Sequence, residues 1–326
     1  MKNAAGKISI LILFLFLNIR LFASDTSFHI PVGEDWEFRP FSLEHLYPNY
    51  LADPLSIRVE AAVQTVYYAD YDYADTVNES GSYTGRLAIF PGFRLSLLQF
   101  VHAKTGFGIE GEIGAVIPTY MRSTNNDVIA LDGIYYFRVN SKITPWWNIN
   151  FSKHHNCTHL GDEYPVDKVE SPIDYDPNRL ELPVLDDFRL ANAFRPLHFL
   201  TARNLDILTL YGEIGFFLPG TDFLGERQNK PDRWAFMNYL WGVELEYYLP
   251  DWGENIGGFY AALNVSYYQQ NGYSPNLSVK SGWILPQDRD GFRFRIGFQY
   301  YNGRSTMNHF YDRKEIFTAI YLSTDF

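Results

Sequence analysis

Strict alternation of apolar and polar side chains, with charge held to the polar side, is the feature that most narrows what this chain can fold into. Between Ile57 and Tyr68, the residues Ile57, Val59, Ala61, Val63 and Tyr67 fall on one side, and Arg58, Glu60 and Gln64 on the other. Phe107, Ile109, Ile113, Ala115 and Ile117 alternate with Glu110 and Glu112 in the same way. So do Val243, Leu245, Tyr247 and Leu249 with Glu244 and Glu246, and Phe292, Phe294, Ile296 and Phe298 with Arg293 and Arg295. A period of two means strands, and charge opposite every apolar face means that each strand separates two media.

Further strands are expected at 86–98, 129–139, 143–154, 188–200, 207–218 and 259–270, and residues 315–326 alternate to the last position. That makes eleven. A transmembrane barrel with both termini on the periplasmic side needs an even number, which points to one more strand at 277–285. The fold expected is all-β: a transmembrane, antiparallel, up-and-down barrel of about twelve strands over 57–326. Short turns such as 140–142 and 287–290 then fall on the periplasmic side, and longer loops outside. The final segment resembles the closing strand of outer-membrane barrels. That resemblance implies that Phe326 is an assembly signal read by the barrel assembly machinery.

Targeting agrees with this. Lys2 and Lys7 precede an apolar run from Ile8 to Leu17, and Leu21-Phe22-Ala23 offers a cleavage site, so residues 1–23 read as a signal peptide. Beyond it no apolar run reaches the roughly 17–25 residues that a membrane-crossing helix needs. Loss of the three basic residues Lys2, Lys7 and Arg20 takes the net charge from -11 to -14, which disfavours nucleic acid as a partner. Aromatic pairs such as Tyr135-Tyr136 and Trp146-Trp147 suit interfacial girdles against outer-membrane lipid, and a monomer is expected. Cys157 is the one cysteine, so no intramolecular disulfide can form.

The polar faces assign a lumen lined by Glu110, Glu112, Glu213, Glu244 and Glu246 against cations that include Arg293 and Arg295. Signs this balanced in so narrow a barrel favour a largely plugged, salt-bridged interior over an open pore. Residues 24–56, with four prolines and the aromatics Trp36, Phe38, Phe41 and Tyr47, read as a periplasmic leader or a plug. The runs Gly111-Glu112-Ile113-Gly114 and Gly212-Glu213-Ile214-Gly215 echo one another. Repeated barrel grammar, with glycine relieving crowding, is the favoured account of that echo.

The densest reactive cluster is His154-His155-Asn156-Cys157-Thr158-His159-Leu160-Gly161-Asp162-Glu163-Tyr164, where the fifth strand meets the longest outer loop. With Tyr47-Pro48-Asn49-Tyr50-Leu51-Ala52-Asp53-Pro54 upstream, and Gly303-Arg304-Ser305 before His309-Phe310-Tyr311 downstream, it resembles a bacterial family of unknown function, the one numbered twelve-oh-seven. The resemblance implies an outer-membrane barrel without an assigned reaction, and serine as the usual residue where this chain has Cys157.

Three readings of the cluster stay open. In the enzymatic one, His155 and Cys157 continue the lipid-facing side of Ile149 and Phe151 as general base and nucleophile, with Asn156 or Asp162 orienting the base. That placement is similar to outer-membrane phospholipase and lipid A deacylase barrels. In the metal reading, His155, His159, Asp162 and Glu163 hold a divalent cation at the outer loop. In the structural reading, Asp162 caps a turn, Gly161 supplies backbone freedom and the histidines pair with loop carboxylates. A structural, binding or small-solute-passage role is the favoured expectation, and a lipid acyl hydrolase the alternative.

Overall fold

The computed structural model describes residues 28–69, 84–123, 126–161, 184–199, 207–217, 237–248, 256–286, 293–310 and 313–325. A short hairpin, β1 (Ile30–Val32) and β2 (Trp36–Ser42), precedes β3 (Val59–Ala69). β4 (Thr84–Phe90) and β5 (Gly92–His102) are two halves of one strand broken at Pro91. β6 (Gly108–Val116) and β7 (Thr119–Arg122) are likewise halves separated at Pro118, whose ring removes a ladder donor. Then follow β8 (Val128–Thr144), β9 (Trp147–Leu160), β10 (Val184–Phe194), β11 (Leu208–Phe217), β12 (Met237–Tyr248), β13 (Gly258–Tyr268), β14 (Pro275–Ile284), β15 (Arg293–Arg304) and β16 (Lys314–Asp325).

All neighbours are antiparallel. The sheet closes on itself because β16 pairs with β3 and β8 with β9. Among the described residues the closed wall therefore has twelve strands, with β4/β5 and β6/β7 counting once each. The expected strand at 277–285 is β14. The expected turn at 140–142 is not a turn: β8 runs through it to Thr144, and the chain reverses at Pro145-Trp146. Period 2 could not locate that reversal, because Asn140 and Lys142 continue the alternation into the rim.

The two faces separate as period 2 demands. Outward positions are apolar and open, such as Ile320 at 66% exposure and Phe151 at 51%, while inward positions on the same strands are buried and polar. Removed from lipid, such a surface would expose a continuous apolar belt to water, so the exterior places this barrel in a bilayer.

The start of the wall departs from the expected boundary at residue 57. β2 pairs with the lower half of β5 (Phe38 opposite Phe100), and β3 pairs with β4 (Val63 opposite Leu87). Both run antiparallel to the same long strand. β2 and β3 are thus the lower and upper halves of the first wall strand, and residues 43–58 leave the wall between them and enter the lumen.

That excursion is held by wall side chains that bond its backbone. Leu46 N–H donates to Glu110 (2.8 Å), and Leu51 N–H donates to Glu244. Arg94 Nη2 donates to the Tyr47 carbonyl (2.9 Å), and Asn148 donates to the Leu46 carbonyl. Tyr50 stacks on Tyr211 of β11 with ring centroids 3.9 Å apart, within an apolar cluster that includes Tyr47, Ala191, Ala193 and Leu240.

Other lumen charges sit in pairs. Glu112 receives Arg94 at 2.9 Å, Glu213 receives Arg189 at 3.0 Å, and Glu246 receives Arg293 at 3.0 Å as well as Arg295. The buried Arg86 reaches Glu315 at 3.0 Å. The second glycine of each echoed run makes room for a neighbour: a Cβ at Gly114 would lie 2.5 Å from the Tyr136 ring, which bonds Glu112, and one at Gly215 would meet the Asn238 side chain.

Candidate functional site

β9 carries the rim cluster, and its alternation decides where each member points. Asn148, Asn150, Ser152, His154 and Thr158 are buried in the lumen. Trp147, Ile149, Phe151, Lys153, His155, Cys157 and His159 take the opposite parity and form an outward column. The strand continues to Leu160, so His155 and Cys157 lie in regular wall, not in a loop. Ten residues separate Trp147 from Cys157. At about 3.3 Å each and a tilt of about 40° they climb roughly 25 Å, the height of an outer-membrane apolar band. Cys157 is therefore level with the outer interface.

On the neighbouring strand, β10 pairs Asp186 with His155. The two side chains meet on the outside of the wall: His155 Nδ1 lies 2.7 Å from Asp186 Oδ1. Across the other ladder, Tyr135 of β8 stacks on the imidazole with centroids 4.5 Å apart. The ring is thus clamped by one hydrogen bond and one stacked face. Lys153 Nζ approaches the other carboxylate oxygen at 4.0 Å.

Cys157 stands one outward position above His155, a Cα separation of about 6.7 Å along the strand. Its neighbour across the β8 ladder is Gly133, whose carbonyl accepts from the thiol at 3.5 Å. A Cβ at Gly133 would come within 2.9 Å of Sγ, so glycine keeps this spot open for the thiol. Below the pair, Phe137, Val139 and Leu190 are exposed to lipid, and Phe151 stacks on Phe188 at 5.6 Å. The column passes from an apolar shelf to a polar rim within one strand.

Asn156 is not placed to orient His155, because it points into the lumen. Its Oδ1 accepts from Asn308 Nδ2 at 3.1 Å. The same Asn308 donates through both its backbone N–H and Nδ2 to Asp132 Oδ2, each at 3.1 Å. Asn308 belongs to the connection between β15 and β16, which folds inward with Met307 fully buried.

Asp162 and Glu163 lie outside the described residues, as does Phe326. Of the four metal candidates the structure thus describes His155 and His159. They are four residues apart on extended strand, about 13 Å at the backbone, with the His155 ring already engaged by Asp186. The two are not brought together.

A different trio does converge. His45, Glu110 and Glu112 bring one ligand atom each to within 4.8 Å in the lumen. Arg94, Asn140, Gln99 and the Leu46 amide already donate to those carboxylates, which leaves a cation little to bind.

Sequence reasoning missed Asp186. The doublet Asp186-Asp187 interrupts alternation at the start of β10 and reads as loop, whereas in the structure Asp187 turns inward to Arg189 and Asp186 outward to His155.

No family model and no curated protein sequence matches the chain. Among solved structures it is similar to outer membrane phospholipase A from Escherichia coli, at 10% identity and a TM-score of 0.51, covering 86% of this chain and 94% of that one. A Salmonella typhi outer membrane phospholipase, solved as a dimer with bound calcium, matches at 8% identity and 0.50, covering 84% and 94%. The KdgM porin matches at 10% identity and 0.35, covering 82% and 99%. At these identities the likeness speaks to fold: the chain is a bacterial outer-membrane β-barrel of twelve antiparallel strands.

Proposed function

We propose that this barrel is a lipid-facing acyl hydrolase of the outer leaflet, with Cys157 as nucleophile, His155 as general base and Asp186 holding the base. The observation that carries the reading is the 2.7 Å contact of His155 Nδ1 with Asp186 on the outside of the wall, one position below the thiol. A carboxylate at Nδ1 keeps the proton on that nitrogen and leaves Nε2 as an acceptor.

In this scheme the thiol leaves the Gly133 carbonyl and gives its proton to Nε2. The thiolate attacks an ester carbonyl at the interface, the ester C–O bond breaks, and the departing alcohol takes the proton from His155. Water, deprotonated by the same nitrogen, then cleaves the thioester and restores the thiol. Acyl chains rest on Phe137, Phe151 and Leu190, which places an outer-leaflet ester at the height of Cys157. The phospholipase similarity supports the reading only as an architecture that can carry such a site. The bonded excursion of residues 43–58 argues for catalysis at the wall over passage through the lumen.

The test is fatty-acid release from labelled phospholipid and lipid A in mixed micelles. Wild type should release acyl chains, Cys157→Ala should release none, and Cys157→Ser should keep a fraction. Asp186→Asn should lose about 10²–10⁴-fold, the range of a disabled general base. Absence of release by wild type on both lipids, or full release by Cys157→Ala, would overturn the assignment.

A further inference from the structure

Directly behind the proposed catalytic pair, the wall at β9 is gripped from the lumen side. Asn156 sits between His155 and Cys157 and points the other way, so whatever fixes its side chain fixes the peptide units on which the base and nucleophile ride. What fixes it comes from far off. Asn308 Nδ2 reaches Asn156 Oδ1 at 3.1 Å, and Asn308 itself is pinned by two bonds to Asp132 on β8, at 3.1 Å each.

The β15–β16 connection that delivers Asn308 leaves the wall five strands round the ring from β9, counting through β3, β4/β5, β6/β7 and β8. Glu315 ties it down, accepting from Thr306 N–H (2.8 Å), Thr306 Oγ1 (2.7 Å) and Arg86 (3.0 Å). Met307 is buried among the lumen aromatics, and Asp132 and Asn308 are almost wholly buried. Every link in the span from Arg86 to Asn156 is thus a hydrogen bond or a packed contact in a water-poor interior, where such bonds hold geometry most firmly.

We infer that Asn308 is a positioning residue: through Asn156 it sets the spacing and aim of His155 and Cys157 from the lumen side, and so makes the mouth of the barrel part of a site that faces lipid. This rests on the hydrolase reading for its chemistry, though the mechanical link can be read without turnover. A β-strand at a barrel rim has freedom to fray and twist. A base and a nucleophile two residues apart on such a strand tolerate little of it, since a displacement of about 1 Å in a reacting group costs on the order of 10²-fold in rate.

The experiment uses the full chain in micelles and takes advantage of Cys157 being the sole cysteine. Asn308→Ala, Asn156→Ala and the double variant are compared with wild type for kcat and KM of acyl release. The pH profile of Cys157 alkylation by iodoacetamide is measured in parallel, and heat-modifiable migration reports folding. The expected result is a fall in kcat of about tenfold with KM within about twofold for either single variant, the double variant no worse than either, and an alkylation profile displaced in all three. Unchanged kcat and profile in Asn308→Ala, or effects that multiply in the double variant, would overturn the inference. If Asn308→Ala does not fold, Asn156→Ala removes the same bond while keeping the Asp132 anchor, and its profile decides. If wild type releases no acyl chain, the hydrolase reading falls by itself. The alkylation profile still separates a strand held by Asn308 from one that is not.

Discussion

Gly133 shows how one residue on a neighbouring strand sets the chemistry available to another. Its missing Cβ is the space that the Cys157 thiol occupies, and its carbonyl is the thiol's present partner. Gly133→Ala brings a methyl to 2.9 Å from Sγ, closer than such contacts allow, so the thiol must rotate away. The expected outcome is a roughly tenfold slower alkylation of Cys157, and under the proposed hydrolase role a similar loss of acyl release, of the size a misplaced reacting group produces, with heat-modifiable migration retained. Asn156 teaches the converse lesson. Adjacency makes it a candidate partner for His155, yet adjacent residues on a strand face opposite media, and the carboxylate that meets His155 is that of its cross-strand neighbour Asp186.

Among the elements, the connection between β15 and β16 is tied to the wall by a buried charge pair, Arg86 of β4 with Glu315 of β16. Arg86 and Glu315 are both fully buried and bonded at 3.0 Å, and the same carboxylate gathers Thr306 and Ser305. Breaking a buried pair by removing one partner leaves the other charge in a medium that cannot solvate it, at a cost of about 3–5 kcal/mol. Glu315→Ala is accordingly expected to destabilise the inserted barrel by about that amount in a reversible unfolding assay. A change below about 1 kcal/mol would show that water reaches Arg86 and that the mouth is not packed. The split first strand is the second notable element. Because β2 and β3 are both anchored in the wall, the excursion between them is tethered at each end, and it cannot swing out as a free terminal plug can.

For the whole molecule this tether has a functional consequence. An open pore needs a continuous aqueous path, whereas here Leu46, Tyr47 and Leu51 are bonded across the lumen to β5, β6, β9 and β12, and Tyr50 is stacked on β11. Wild type in planar bilayers is expected to show no steady conductance. A variant in which residues 44–56 are replaced by a short Gly-Ser linker should conduct, provided that it still migrates as a folded barrel. Porin-like conductance from wild type would mean that the excursion does not block the lumen and would revive solute passage.

Class, strand periodicity and facing are legible in the sequence, because a strand between lipid and a polar lumen must alternate residue by residue and the chain writes that alternation out. Val59 to Tyr67, Val243 to Tyr248 and Arg293 to Phe298 take the faces that alternation assigns them, whereas Ile57, expected on the outward face, is buried in the lumen because the chain has left the wall there, and the even-number requirement recovered β14 from a weak pattern. The outward aim of His155 and Cys157 follows from the same parity. Three things do not follow from it. The partner of His155 depends on the register of β10 against β9, and the doublet Asp186-Asp187 hides where that strand begins. The interruption of the first wall strand depends on β5 running on past β3, which only the assembled wall reveals. The grip of Asn308 on Asn156 joins residues 152 positions apart across a closed lumen. Alternation is a local property, fixed by the medium on either side of one strand. Register, interruption and contact across the lumen are settled only when the ring closes and each strand acquires its neighbours.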